Sequence, residues 1–193
     1  MTMRQKNLRL HYLTLAVVAV LAGVAGWIAF SSRGDPLWRL TRGAALTGYG
    51  FIFLSILSSA CTRQLRHLFG RPFVQMHHIL ALTGLTLATL HPIAFALDAG
   101  TPGVLIPKLE SWNGLMRRAG CPAWGLLITA AAAALWRKPS GKRWRMVHLL
   151  TYLAFVFITV HAMLLGSDTQ TLLARAVGIA LTLVALGTAI RRR

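Results

Sequence analysis

Histidine is the residue type in this sequence with the most chemical potential, because five of the seven histidines fall in two apolar segments. The first segment reads MHHILALTGLTLATLHP and carries His77, His78 and His91. The second reads RMVHLLTYLAFVFITVHA and carries His148 and His161. A neutral imidazole is the commonest metal ligand in proteins, and ionisable side chains inside apolar segments are costly unless they have a function. The two segments are therefore candidates for a shared metal or cofactor site.

The two segments repeat histidine at nearly the same interval. His77 and His91 are 14 residues apart, and His148 and His161 are 13 residues apart. In α-helices these steps rise about 21 Å and about 19.5 Å. The separation leaves room for two haems stacked along the helices, each held by one imidazole from each segment. It is too long for a zinc site, whose ligands lie within a few ångströms of one another.

The facing of the histidines distinguishes His77 from its neighbour. At about 100° per residue, His77 and His91 lie within about 40° of one helix face, whereas His78 and His91 are about 140° apart. We therefore predict that His77, and not His78, is the ligand. The same arithmetic places His148 and His161 about 140° apart around a regular helix. One of these two histidines must therefore reach its haem through a different rotamer or through a local distortion of the helix.

The composition indicates that these segments cross a membrane. Of the 193 residues, 55% are hydrophobic and only 13% are charged, whereas a soluble domain carries about 25% charged residues. Apolar windows of near-spanning length predict six transmembrane helices, at 10–32, 43–62, 72–97, 119–136, 146–167 and 169–190. We expect an all-α membrane protein with a single domain, 1–193. The apolar runs exclude a nucleic-acid-binding protein despite the net charge of +17.

The basic residues predict the topology. With the N-terminus inside, the inner segments hold 14 of the 21 lysines and arginines and none of the four acids. This bias predicts that both termini are cytoplasmic. The third and fifth spans then run in the same direction, so His77 lies at the depth of His148, and His91 lies at the depth of His161.

Two arginines immediately precede the histidine-bearing spans, on the predicted cytoplasmic side. Arg71 precedes the third span and Arg145 precedes the fifth. A guanidinium pairs with a carboxylate bidentately, so both are candidates for binding the propionates of the inner haem. Anchoring of the spans by the positive-inside rule is the alternative explanation for both residues.

The histidine pattern resembles the ferric-reductase-like transmembrane domain family, over about Leu40 to Leu165. Members of that family carry a motif that looks like H-x-x-x-G, with a second histidine 14 residues after the first. A later helix in these proteins carries two histidines that are 13 residues apart. Here His77 opens the first motif, and Ala81 stands in place of the glycine. The resemblance implies b-type haem, two per chain or one at the outer pair, on the ligands His77, His91, His148 and His161.

The resemblance also implies a function. In layout the chain is closest to the haem-binding membrane subunit of the bacterial periplasmic methionine sulfoxide reductase system, which normally has an arginine where His77 stands. We therefore expect a multi-pass protein of the bacterial inner membrane that acts as a transmembrane oxidoreductase or as an electron-transfer subunit of one. No segment is long enough for a dinucleotide or flavin fold, so flavin would enter only through a partner. The expected donor is a cytoplasmic flavin reductase, and the expected acceptor is an outer-face protein or a ferric compound.

Two other functions would use the same helices. A quinone- or superoxide-linked membrane oxidoreductase would turn over without a protein partner. A haem-free proton-coupled transporter would use the histidines as a proton relay and would be colourless. A visible spectrum separates the transporter from the two oxidoreductases.

Overall fold

The computed structural model describes residues 34–60, 73–106, 111, 119–139 and 141–190, together with 20, 23 and 31. This part of the chain is helical and contains no strand. Its α-helices are α1 (Pro36–Ala60), α2 (Phe73–Asp98), α3 (Gly120–Leu135), α4 (Trp144–His148), α5 (Leu150–Leu165) and α6 (Leu172–Ile190). Short 3-10 helices occupy Pro102–Leu105 and Ser167–Thr169.

Four helical stretches within the described ranges are long and apolar enough to cross a membrane: Pro36–Ser59, Val74–Asp98, Trp144–Leu165 and Leu172–Ile190. They correspond to the second, third, fifth and sixth predicted spans. The fourth predicted span is α3, an apolar helix of 16 residues, which is shorter than the roughly 20 residues that cross a bilayer core. The first predicted span, 10–32, lies almost entirely outside the described residues.

The start of α1 illustrates how local chemistry sets a helix boundary. Asp35 Oδ1 accepts a hydrogen bond from the backbone N–H of Trp38 at 2.8 Å, and Pro36 occupies the first helical position. An aspartate cap followed by proline is a strong start signal, because the carboxylate accepts from an otherwise unpaired N–H and proline has none to leave unpaired. The helix therefore begins seven residues before the predicted span and includes two arginines that the apolar window left out.

The described residues divide into two compact units, 1–98 and 99–193. In the first unit α1 packs on α2, and the two helices come closest at two glycines. A Cβ on Gly84 would lie 3.0 Å from the backbone nitrogen of Ile52, and one on Gly48 would lie 3.3 Å from the backbone nitrogen of Ala88. Small residues let helix backbones approach closely, which is how helices pack in lipid.

In the second unit α3 packs against α4 and α5, and α5 packs against α6. Ala123, Leu127 and Ala130 form the buried stripe of α3. Polar side chains join α5 to α6, where Thr182 Oγ1 donates to Thr159 Oγ1 at 2.9 Å. Such interhelical hydrogen bonds are typical of helices whose surroundings offer no competing water.

Candidate functional site

In the first unit both candidate ligands bond to backbone carbonyls of α1. His77 Nδ1 lies 3.0 Å from the carbonyl oxygen of Ser55, and His91 Nδ1 lies 3.1 Å from that of Thr41. A carbonyl can only accept, so each Nδ1 must carry the hydrogen, and the lone pair of the neutral ring is then on Nε2. Metal-ligating histidines almost always donate their other ring N–H in this way, which fixes the tautomer and the ring orientation.

The two bonds are related by a regular register. Thr41, Gly48 and Ser55 follow one another at seven-residue intervals on α1. His77, Gly84 and His91 do the same on α2. Seven residues are close to two helical turns, so each set lies on one face of its helix. The helices run antiparallel, the glycines lie at the middle of the contact, and one histidine–carbonyl bond lies about 10 Å to either side.

In the second unit His148 repeats the same arrangement. Its Nδ1 lies 3.0 Å from the carbonyl oxygen of Ala130 on α3. The ring of Trp144 is beside it, with ring centroids 5.8 Å apart and planes inclined by 55°. Three of the four candidate ligands therefore share one tautomer, set by a backbone carbonyl of the helix packed against their own.

The ring of His161 lies against Gly120 of α3. A Cβ on Gly120 would lie 3.1 Å from His161 Nε2 and 3.2 Å from both Cδ2 and Cε1. The nearly equal distances to three ring atoms mean that this methyl group would sit over the face of the ring and not in its plane. The absence of a side chain at Gly120 therefore makes room for the Nε2 end of the imidazole.

The helix is tightened where His148 is located. The backbone N–H of Tyr152 donates to the carbonyl of Leu149 at 3.0 Å, and that of Leu149 donates to the carbonyls of both Arg145 and Met146 at 3.2 Å. The carbonyl of His148 accepts from the Thr151 hydroxyl at 2.8 Å. The bonds from Tyr152 to Leu149 and from Leu149 to Met146 span three residues and are 3-10 in character, a geometry that turns the chain by about 120° per residue in place of about 100°.

This tightening is a distortion of the kind that the sequence requires between His148 and His161. Roughly three residues in 3-10 geometry would reduce their separation around the helix from about 140° to about 80°. The cause is local, because the threonine hydroxyl bonds to the carbonyl that would otherwise accept the i+4 N–H.

His78 differs from His77 in its surroundings. The side chain of His78 is exposed, whereas that of His77 is half-buried and bonded to α1. The two rings are adjacent, with centroids 5.9 Å apart. The geometry in the first unit therefore agrees with the facing argument that favours His77.

Of the two arginines, Arg145 is described and Arg71 lies outside the described residues. The guanidinium carbon of Arg145 lies 5.9 Å from the ring centroid of Trp144, which in turn contacts His148. Beside Trp144 is an open cleft of about 610 Å³. Its lining consists of Ala133, Pro139, Gly141, Lys142, Arg143, Trp144 and Val147. This end of the second unit is therefore basic.

A comparison of the chain with models of known protein families identifies the family to which it belongs. The model of the ferric reductase like transmembrane component matches residues 42–159. The chain belongs to this family. Members of the ferric reductase like family are integral membrane proteins of electron transfer, and the apolar helices agree with that placement. No individually curated protein sequence matches the chain.

The matched segment of the ferric reductase like component includes three of the four candidate ligands. It begins at Arg42 in α1 and ends in α5, two residues before His161. The sequence resemblance to this family is thus confirmed.

Several residues that shape the site were not among the predicted ones. Thr41 and Ser55 contribute backbone carbonyls, so no side-chain motif marks them. Gly84 and Gly120 contribute by having no side chain, which leaves space for Ile52 on α1 and for the ring of His161. The signal that would have found the first-unit residues is the shared seven-residue spacing, which places Gly84 midway between His77 and His91.

Proposed function

We propose that this chain is a haem b membrane cytochrome that passes electrons across the membrane, as an oxidoreductase or as the electron-transfer subunit of one. The observation that carries the proposal is the common tautomer of His77, His91 and His148, each with its Nδ1 hydrogen on a backbone carbonyl. This leaves the Nε2 lone pair, the donor that an iron ion takes from imidazole.

The same observation disfavours a proton relay. A relay through an imidazole requires both ring nitrogens to exchange hydrogens with partners that take up and release protons. A backbone carbonyl does neither under physiological conditions, so the Nδ1 side of these three rings cannot pass a proton on. Their hydrogen bonds fix orientation, which a ligand needs and a relay does not.

The donor set fits haem b. We propose that His77, His91, His148 and His161 would hold the haem iron. Bound haem would supply a one-electron carrier, which these imidazoles would hold. The chain's own contribution is to orient His77, His91 and His148 through backbone carbonyls and to leave room for the His161 ring at Gly120.

The basic end of the second unit supports a role in receiving electrons. We propose that Arg145 and Arg71 bind carboxylates of the cofactor at the cytoplasmic end, because a guanidinium pairs with carboxylates bidentately. Trp144 contacts His148 and also lines the cleft that contains Lys142 and Arg143. A negatively charged donor would be attracted to this cleft and would come close to His148 through Trp144.

The proposed partners follow from this charge. We propose a cytoplasmic flavin reductase as donor, and an outer-face protein or a ferric compound as acceptor, for a protein of the bacterial inner membrane. Flavin would then be supplied by the partner and not by this chain.

The haem content tests the proposal directly. Protein purified in mild detergent should be red, with a reducible low-spin b-type spectrum and about two haems per chain, because two pairs of imidazoles are present. The pyridine haemochrome assay measures the stoichiometry. One haem would reject the two-site version, and a colourless protein that transports a substrate with protons would reject the cytochrome altogether.

The direction of electron flow can be measured in vesicles of known orientation. With the cleft-bearing face exposed, a reduced flavin and a flavin reductase should reduce the haem, and the rate should fall as salt rises. The reason is that attraction between an acidic donor and a basic surface is screened over about 8 to 10 Å at physiological ionic strength. Reduction only from the opposite face, by a quinol and without a protein, would instead support the quinone-linked function.

A further inference from the structure

The two histidine–carbonyl bonds of the first unit are equivalent in register but differ by one hydroxyl group. Ser58 lies three residues after Ser55 and donates from Oγ to the Ser55 carbonyl at 2.8 Å. That carbonyl also accepts from His77. At the other site, the residue three positions after Thr41 is Ala44, which is buried and has no hydroxyl. The His77 site therefore has a second side-chain donor on its carbonyl where the His91 site has a methyl group.

We propose that Ser58 is a positioning residue that weakens the bond between His77 and Ser55, and thereby raises the reduction potential of the iron site at His77 relative to that at His91. The inference rests on the proposed function, because it concerns the iron that these histidines would hold. It assigns to the buried Ser58 one difference between two sites whose histidine–carbonyl bonds are equivalent in register.

The sign follows from competition for one acceptor. A carbonyl oxygen that accepts from a hydroxyl has less electron density to offer a second donor, so its bond to His77 Nδ1–H becomes weaker. A strong bond at Nδ1 raises the basicity of the ring as a ligand, and a more basic ligand favours ferric over ferrous iron. The hydroxyl of Ser58 also lies 3.4 Å from His77 Nδ1, but this contact is longer than its 2.8 Å bond to the carbonyl. Competition for the carbonyl therefore decides the direction.

Two reciprocal substitutions test the inference. Ser58→Ala removes the competing donor from the His77 site, and Ala44→Ser adds one at the equivalent position of the His91 site. Ser59→Ala is the matched control, because it removes a neighbouring hydroxyl whose hydrogen is donated to the carbonyl of Ile56 at 2.7 Å. Redox titration of the haem spectrum measures the reduction potentials of both sites. The transition that disappears in His77→Ala is assigned to the His77 site, and the transition that disappears in His91→Ala is assigned to the His91 site.

We expect Ser58→Ala to lower the potential at the His77 site alone. The expected shift corresponds to roughly a threefold change in the reduction equilibrium, or about 28 mV at about 59 mV per tenfold change for one electron. Ala44→Ser should raise the potential at the His91 site, and Ser59→Ala should move neither. Three results would each overturn the inference: equal shifts of the potential at both sites in Ser58→Ala, a rise of the potential at the His77 site in Ser58→Ala, or the same shift of that potential in Ser59→Ala.

A haem-free measurement separates this inference from the proposed function. In the apoprotein, the proton resonance of His77 Nδ1–H should move downfield in Ser58→Ala, because its bond to Ser55 becomes stronger. A protein that binds no haem but shows this shift would reject the cytochrome and retain the hydrogen-bond competition. A haem protein in which neither the resonance nor the potential moves would reject the role of Ser58 alone.

Discussion

His77→Ala is expected to lower the haem content of the purified protein from about two per chain to about one, whereas His78→Ala leaves it unchanged. The two residues are neighbours in α2, but only His77 is bonded to α1, with its Nδ1 on the Ser55 carbonyl. His78 is exposed and lies on another face of the helix. The two variants are therefore a matched pair, because each replaces one histidine by alanine at adjacent positions of the same helix.

The measurement is the pyridine haemochrome assay, with the far-ultraviolet helical signal as a check on folding. Imidazole added to His77→Gly should restore part of the lost haem absorbance, because a free ligand can occupy the space of the missing side chain. The converse result, loss of haem in His78→Ala and retention in His77→Ala, would assign the ligand role to His78 and contradict the orientation seen in the first unit.

Gly84→Ala is expected to have the largest effect on stability. Its Cβ would lie 3.0 Å from the backbone nitrogen of Ile52, and a backbone atom cannot move aside as the end of a flexible side chain can. Forcing two close-packed helices apart costs about 1–3 kcal/mol in free energy of unfolding. Both histidine–carbonyl bonds lie in the same helix pair, so haem retention should decrease together with stability.

Gly125→Ala is the matched control, because it also lies within a helix and nothing is within 4 Å of its added Cβ. It should be neutral or stabilising by about 0.5–1 kcal/mol, since alanine is the better helix former. Thermal unfolding in mild detergent compares the two variants. Equal unfolding midpoints would show that the contact between α1 and α2 tolerates a methyl group and that the glycine is not required for the approach.

Helix bounds show how far local sequence information extends. The predicted span 72–97 differs from α2 by one residue at each end, because the helix and the apolar run coincide. Helix α1 begins at Pro36, seven residues before the predicted span 43–62, and therefore includes Arg39 and Arg42. A window that stops at charges misses a helix that continues to its cap at Asp35.

The sequence by itself determined that this is a membrane protein of the ferric reductase like family, and it predicts that histidine is the functional residue type. Span length, charge bias and the spacing between histidines are properties of a single helix, so they can be read from one segment at a time. The choice of His77 over His78 also follows from helical periodicity alone, and the bond to Ser55 agrees with it.

Only the tertiary structure decided what each imidazole bonds to. The carbonyls of Thr41, Ser55 and Ala130 belong to the helix opposite each histidine, and every residue has a carbonyl, so nothing in the side chains marks these three. The close approach at Gly84 and the room left by Gly120 likewise depend on which backbone or ring lies opposite. The physical reason is that hydrogen-bond acceptors and empty space are properties of a packed pair of helices, whereas periodicity is a property of one.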